Sequence, residues 1–366
     1  MSGDLTYLDL SEEQQDLLRD LPFDGNHLVT GPPGCGKSLL AAQRADLLAL
    51  TGVRVHLLTR SNLLRQTLSV HGDVEVSTVH AWIHAWHRAR TGEPAPRAAE
   101  DWFDWRELFA LAALEESAEP YALVVDEGQD LPRSFYRLCL LLGASVTVFA
   151  DECQRITDTQ STLDEIATGL GDCARYELTQ QHRTTRPIAA LADRFHTGPT
   201  TPLLPSRPGP VPRLWRYADQ RALASQLVAH AERHPQRTIG VVLRTTRAQL
   251  ALHEHLERTA PALRSQVYVG TAAEGRHRTL DLRRPGIRVI SRASAKGLEF
   301  DSVFVPDTHT DTGDPSAAVL RMTYYVLLTR AREEVHLGYE GDREPPPVAR
   351  VPGGLLVRAG GDVVGV

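Results

Sequence analysis

Apolar residues along the chain fall into short continuous runs separated by stretches with apolar positions three and four apart, a pattern that predicts buried strands alternating with amphipathic helices. In the first half the strand-like runs are His27 to Thr30, Val53 to Thr59, Val74 to Val79, Val146 to Asp151 and the apolar stretch that opens Tyr121 to Asp130. Helical spacing covers Leu10 to Leu18, Leu39 to Leu50, a short piece near Asn62 to Leu68, and Trp102 to Glu116, with another helix starting near Pro132. The alternation resumes later. Strand Thr238 to Leu243 precedes helix Arg247 to Glu257; strand Ile287 to Ile290 precedes Ala295 to Phe300; strand Val303 to Val305 precedes helix Ala317 to Arg332; Val335 to Tyr339 is a last strand. This predicts parallel sheets flanked by helices in both halves, with sites at the carboxyl ends of strands. Near Tyr176 to Leu178 the chain crosses to its second half, where Pro187 suits the first turn of a helix. Thr197 to Pro212, rich in Pro and Gly, reads as an irregular connection, and Arg343 to Val366 as a peripheral tail or hairpin.

One strand-to-helix junction carries chemistry. Gly31 to Ser38 reads GPPGCGKS, the spacing of a phosphate-binding loop. A strand delivers these residues to a helix N-terminus, where unpaired N–H groups and the helix dipole favour an anion. Gly31, Gly34 and Gly36 permit backbone angles and close approach that a side chain would block, with Pro32, Pro33 and Cys35 between them. Lys37 is expected on the β- and γ-phosphates and Ser38 on Mg²⁺.

A second junction supplies carboxylates. In YALVVDEGQD an acidic pair ends an apolar strand, which is costly unless it meets a cation or a partner. With a phosphate loop upstream, Asp126 is the expected Mg²⁺ ligand and Glu127 the base that orients the attacking water. Asp130 suits the N-cap of the helix near Pro132. Upstream of the loop, Ser11 and Gln14 fit a capping box, while Gln14 also fits recognition of the nucleotide base; spacing leaves both open. His80, His84 and His87 share a helical face, but no Glu or Cys completes a metal set, so packing or ligand contact is the better reading.

Composition narrows the setting. The 366 residues, 42% hydrophobic and 23% charged, suit a globular protein of about two domains with sizeable cores. No run of about 18 apolar residues and no basic-then-apolar leader is present, so no membrane association and a cytoplasmic location are expected. Cys35, Cys139, Cys153 and Cys173 lack C-x-x-C spacing, so neither zinc site nor disulfide framework is indicated. A net charge of −6 gives no bulk attraction to nucleic acid; such a partner would need a locally basic groove.

The motifs together resemble, in order, those of superfamily 1 helicases of the UvrD/Rep type. Besides the phosphate loop these are LLTRSN (Leu57 to Asn62), STVHAW (Ser77 to Trp82), VVDEGQD, FADECQRI (Phe149 to Ile156), LTQQHRTTRPI (Leu178 to Ile188), SAKGLEFDSVFV (Ser294 to Val305) and YYVLLTRAR (Tyr324 to Arg332). The resemblance implies an α/β fold of two RecA-like P-loop NTPase domains, each a mainly parallel sheet flanked by helices, with the ATP site in the cleft between them. The domains would span 1–176, with a small helical insert at about 83–118, and 177–366, with the tail at 343–366. It implies an Mg²⁺-dependent ATPase moving 3′ to 5′ on single-stranded DNA, RNA being the alternative polynucleotide, in repair, recombination or defence. Gln14 would contact adenine, Gln154 would sense the γ-phosphate, Arg183 and Arg330 would add positive charge, and Glu299, beside Gly297, would approach the ribose. Thr59, Arg60, Thr78, His80 and Ser291 would lie along the strand.

Departures from the family pattern open a second reading. Arg155 to Leu163 has no aromatic where these helicases carry one, Ser291-Arg292-Ala293 stands where T-x-H is usual, and the chain is too short for large inserted subdomains. Trp82, Trp86, Trp102 and Trp105 could replace the missing stacking platform, although packing of the insert is the commoner role. The alternative function is an ATP-driven switch acting on a regulatory or nuclease protein partner without unwinding. A small-molecule kinase fits worse, having no use for AKGLEFD and LLTRAR.

Overall fold

The computed structural model describes residues 10–69, 71–114, 121–151, 160–197, 202–270, 277–282 and 284–359. The chain forms two compact units, Met1–Gln180 and Gln181–Val366.

In the first unit the order is α1 (Glu12–Asp20), β1 (Asn26–Thr30), α2 (Lys37–Leu50), β2 (Arg54–Thr59), α3 (Asn62–Leu68), β3 (Val76–Thr78), α4 (Val79–Thr91), α5 (Trp105–Ala112), β4 (Tyr121–Val125), α6 (Arg133–Leu141), β5 (Ser145–Ala150), α7 (Leu163–Leu170) and β6 (Cys173–Glu177). The strands form one parallel sheet ordered β3-β2-β4-β5-β1-β6. The apolar runs of β1, β4 and β5 are buried because helices cover both faces of the sheet. One core gathers Leu17, Leu40 and Ala41 of α1 and α2 with Val29, Val124 and Phe149. The other packs Trp82, Trp86, Phe103, Trp105, Phe135 and Tyr136 against Leu28, Leu123 and Val148. Side-chain oxygens cap helix starts, including Ser11, Ser61, Thr78 and Asp104.

Several boundaries differ from the sequence pattern. The run Val74 to Val79 narrows to β3, because Thr78 already caps the helix that Val79 begins. The helix expected over Trp102 to Glu116 starts at Trp105, where Asp104 caps it, and ends at Ala112; Glu116 lies outside the described residues. Proline, not Asp130, holds the N-cap position of α6. Strand β6 was not anticipated, since CARYE is half exposed and lacks an apolar run, yet it pairs with β1 over five positions.

The second unit contains α8 (Arg186–Asp193), β7 (Arg213–Arg216), α9 (Gln220–Arg233), β8 (Thr238–Leu243), α10 (Thr246–Thr259), β9 (Gln266–Val267), β10 (Gly286–Ser291), β11 (Phe300–Val305), α11 (Ala318–Leu328), β12 (Ala331–Tyr339), α12 (Pro346–Ala349) and β13 (Val357–Ala359). Its strands also run parallel, in the order β13-β7-β12-β11-β8-β10-β9. The helix expected through Arg332 stops at Leu328, because β12 starts at Ala331. The segment expected as a peripheral tail or hairpin is integrated instead through Ala359, the rest lying outside the described residues: β13 pairs in parallel with β7, and Val348 and Leu356 are fully buried. Arg358 fastens it through Glu344 and the carbonyls of Val348 and Val351. Two parallel sheets flanked by helices make an α/β architecture consistent with two RecA-like domains, and among the described residues no helix is long and apolar enough to cross a membrane.

Candidate active site

Strand β1 ends at Thr30 and hands the chain to GPPGCGKS, whose last two residues open α2. Gly36 sits at the N-cap with φ 90°, and a Cβ there would lie 2.4 Å from Gln14 Nε2. Gly34 also has positive φ, and a Cβ at Gly31 would lie 2.7 Å from Cys35 Sγ. Only glycine fits Gly36, on both backbone and space. The Lys37 ammonium donates to the carbonyls of Gly31 (2.6 Å) and Pro32 (3.0 Å) and lies 3.4 Å from Asp151 Oδ2. It is held over the loop itself, where an anion bound by the loop would meet it. Gln14 carries both readings of its motif: its Oε1 accepts from Ser11 N–H in a full capping box, and its Nε2 donates to Cys35 O at 2.8 Å.

Because β5 alone separates β1 from β4, the carboxylates at the end of β4 come beside this loop. Ser38 Oγ donates to Asp126 Oδ2 at 2.8 Å. Burial and the neighbouring Glu127 carboxylate raise the Asp126 pKa, against the pull of Ser38 and Lys37. Removing that burden takes a cation, and a hydroxyl with a carboxylate oxygen is the hard donor pair that Mg²⁺ takes. Mg²⁺ would there screen phosphate charge; Ser38 and Asp126 would hold it.

Glu127 is one of two described non-glycine residues with positive φ (55°), a left-handed conformation costing about 1–2 kcal/mol. Its carboxylate accepts from Gln129 Nε2, while Gln129 Oε1 accepts from Asp151 N–H at 2.9 Å. Asp151 in turn faces Lys37. Gln129, fully buried, therefore ties the proposed base to the strand whose tip meets the lysine. Sequence reading passed over it, although it is the Q of DE-x-QD. Gln154 lies outside the described residues.

The remaining candidates of the first unit stand at the carboxyl ends of β2 and β3. Arg60 reaches Asp130 (3.8 Å) and approaches the Trp102 ring (5.9 Å), and His80 stacks on Trp102 with centroids 4.4 Å apart. Trp82, Trp86 and Trp105 are core residues, whereas Trp102 is half-buried. Thr59 is fully buried and its hydroxyl has no hydrogen-bond partner among the described residues. Thr78 spends its hydroxyl on Ala81 N–H as a cap. His84 packs on Phe103 and His87 bonds Glu93 O, so the histidine face serves packing.

In the second unit Glu299 and Arg330 precede β11 and β12, at the amino ends of these strands and not at the carboxyl ends. Glu299 pairs with both Arg183 and Arg332, and Arg183 also donates to Thr329 O (3.3 Å). Burial pushes the Glu299 pKa up, but the guanidiniums of Arg183 and Arg332 prevail and hold it at about 2. Arg330 donates to Val326 O (3.0 Å) and Thr329 Oγ1 (3.2 Å). Gly297 takes φ 76° in the turn before β11. Ser291 lies apart from these, at the carboxyl end of β10, exchanging hydrogen bonds with Ser294. Arg292 beside it is gripped by Asp307 (2.8 Å) and Asp311 (2.7 Å), and Tyr324 donates to Asp311.

A family model described as an AAA domain matches residues 9–201, more than half of the chain. The chain belongs to this AAA-domain family. Its members are P-loop NTPases of helicase-like type, so the AAA domain accounts for the phosphate loop, the acidic strand end and the nucleotide binding they serve. No curated protein matches the AAA-domain chain in sequence. A solved structure described as the C-terminal domain of a possible DNA helicase from Lactobacillus plantarum WCFS1 is 24% identical and aligns with 49% of this chain and 99% of its own, at a TM-score of 0.36.

Proposed function

We propose that this AAA-domain protein is an ATP-hydrolysing translocase of the superfamily 1A, UvrD/Rep-like kind, moving 3′ to 5′ on single-stranded DNA in repair, recombination or defence. The observation that carries it is the join of Ser38 to Asp126 at 2.8 Å, beside Lys37 and a strained Glu127, the donor set that phosphoryl transfer requires. Lys37 draws charge from the β- and γ-phosphates, Glu127 orients water, and Gln129 holds Glu127 in place. Arg183 and Arg330 offset negative charge as it shifts in the transition state, while Glu299, at the second unit's end of the same reading, sets the guanidinium of Arg183. Such arginines are worth about 10³–10⁵ in rate. For the strand, Arg60, His80 and Trp102 bring a cation and two rings together at the ends of β2 and β3, a pairing suited to phosphate and base.

One observation favours the second reading. The position that the helicase resemblance assigns to the strand in the second unit is engaged within that unit: Ser291 is bonded to Ser294 and Arg292 is held by two aspartates, leaving little to grip a polynucleotide. An ATP-driven switch acting on a partner protein would have no need of that grip. ATP turnover with and without single-stranded DNA decides. Strong stimulation by DNA supports the translocase; indifference to DNA, with stimulation by a copurifying protein, supports the switch.

A further inference from the structure

His230 lies in the last turn of α9, and His234, the C-cap of that helix, bonds back to it through N–H to His230 O (3.0 Å), while β12 presents Glu334 towards them, with His336 two residues on along the same side of the strand. The ligand atoms of His230, His234 and Glu334 all lie within 4.8 Å of one another. The His230 ring centroid is 4.7 Å from that of His234 and 5.1 Å from that of His336. Nothing in the phosphate chemistry uses these groups. We propose that His230, His234 and Glu334 form a binding site for a divalent transition-metal ion of the zinc class.

Ligands of a tetrahedral ion with bonds of about 2.0–2.2 Å stand roughly 3.4 Å apart, so side-chain rotations close the present triangle. An outer layer exists as well. The Ser302 hydroxyl meets His230 Nε2 at 2.9 Å, and His336 Nε2 meets Glu334 Oε2 at 3.2 Å, contacts of the kind that orient metal ligands.

The surroundings select the ion. Arg237 pairs with Glu334, and Arg233 adds positive charge nearby, which disfavours Mg²⁺ and Ca²⁺, ions that need several oxygen ligands. Two imidazoles and one carboxylate suit Zn²⁺, Co²⁺ or Ni²⁺, for which nitrogen donors offset the local charge. Bound there, the ion would pin α9 to β12 two residues beyond Arg332, which pairs with Glu299. The competing account is a closed polar network in which Ser302 and Arg237 already satisfy the cluster.

Calorimetric titration of Zn²⁺ into the chelator-treated full chain separates the two. The site predicts one ion bound per chain, a rise in Tm of roughly 5 °C at saturating metal, and a visible Co²⁺ spectrum of nitrogen-ligated tetrahedral type. His234→Ala, at a half-buried position, is expected to weaken Zn²⁺ binding by at least about 100-fold. Glu334→Gln, which keeps the side-chain shape, weakens it as well and decides the matter should the alanine variant misfold. Absence of Zn²⁺ binding, or equal binding by wild type and the folded variants, would overturn the proposal.

Discussion

The two units share a layered parallel α/β plan but put the charged residues of the candidate site at opposite ends of it. In the first, Lys37, Ser38, Asp126, Glu127 and Asp151 gather at the carboxyl ends of β1, β4 and β5. In the second, Arg183, Glu299, Arg330 and Arg332 gather at the amino ends of β11 and β12, while the carboxyl ends hold a balanced set in which Arg292 and Arg244 face Asp307 and Asp311. The first cluster is poised and costly: a non-glycine residue in left-handed conformation, and a buried carboxyl whose pKa is raised. The second is paired and relaxed. Under the proposed function, the strained cluster of the first unit is the reacting one and the ion pairs of the second hold charge in reserve.

That contrast can be broken by substitution. Lys37→Ala is expected to remove turnover altogether, by at least about 10²-fold, since the loop loses the cation that meets phosphate; retained turnover in a steady-state ATPase assay would move the site elsewhere. Glu127→Gln should keep nucleotide bound, by fluorescent-analogue titration, and slow hydrolysis by about 10²–10⁴. Loss of binding instead would make Glu127 structural. Gln129→Ala should lower kcat between about 10- and 10²-fold at nearly unchanged KM, because it positions Glu127 without touching the nucleotide. A change confined to KM would contradict that role.

The smallest effect belongs to the second unit and to pH. Glu299 has its folded pKa depressed to about 2 from an ordinary 4.5, so its pairing stabilises the fold above pH 4.5 and the contribution fades as pH falls towards 2. Glu299→Gln should therefore melt below wild type at neutral pH, and the gap should close across that window in a Tm series. A gap independent of pH would mean that Glu299 stabilises by packing.

Much of this was legible beforehand, for reasons that differ by element. The phosphate loop and DE-x-QD could be read because glycine, lysine and acid at fixed spacing have few other uses, and β8 and β10 because buried parallel strands are continuous apolar runs. Strand β6 escaped because an edge strand such as CARYE needs no apolar run, and β13 because three residues within a Pro- and Gly-rich stretch carry no periodicity. The Arg60–Trp102–His80 cluster joins residues distant along the chain and could only be seen folded. Gln129 was in view throughout; its role needed the position of Asp151 N–H.

Under the proposed function, nucleotide binding and water activation belong to the first unit and charge compensation to the second. The most direct test is Arg183→Ala measured two ways, by single-turnover hydrolysis and by equilibrium binding of ATP. A fall in the hydrolysis rate of about 10³ or more with affinity changed only a few-fold is the predicted result. Hydrolysis within a few-fold of wild type would contradict it.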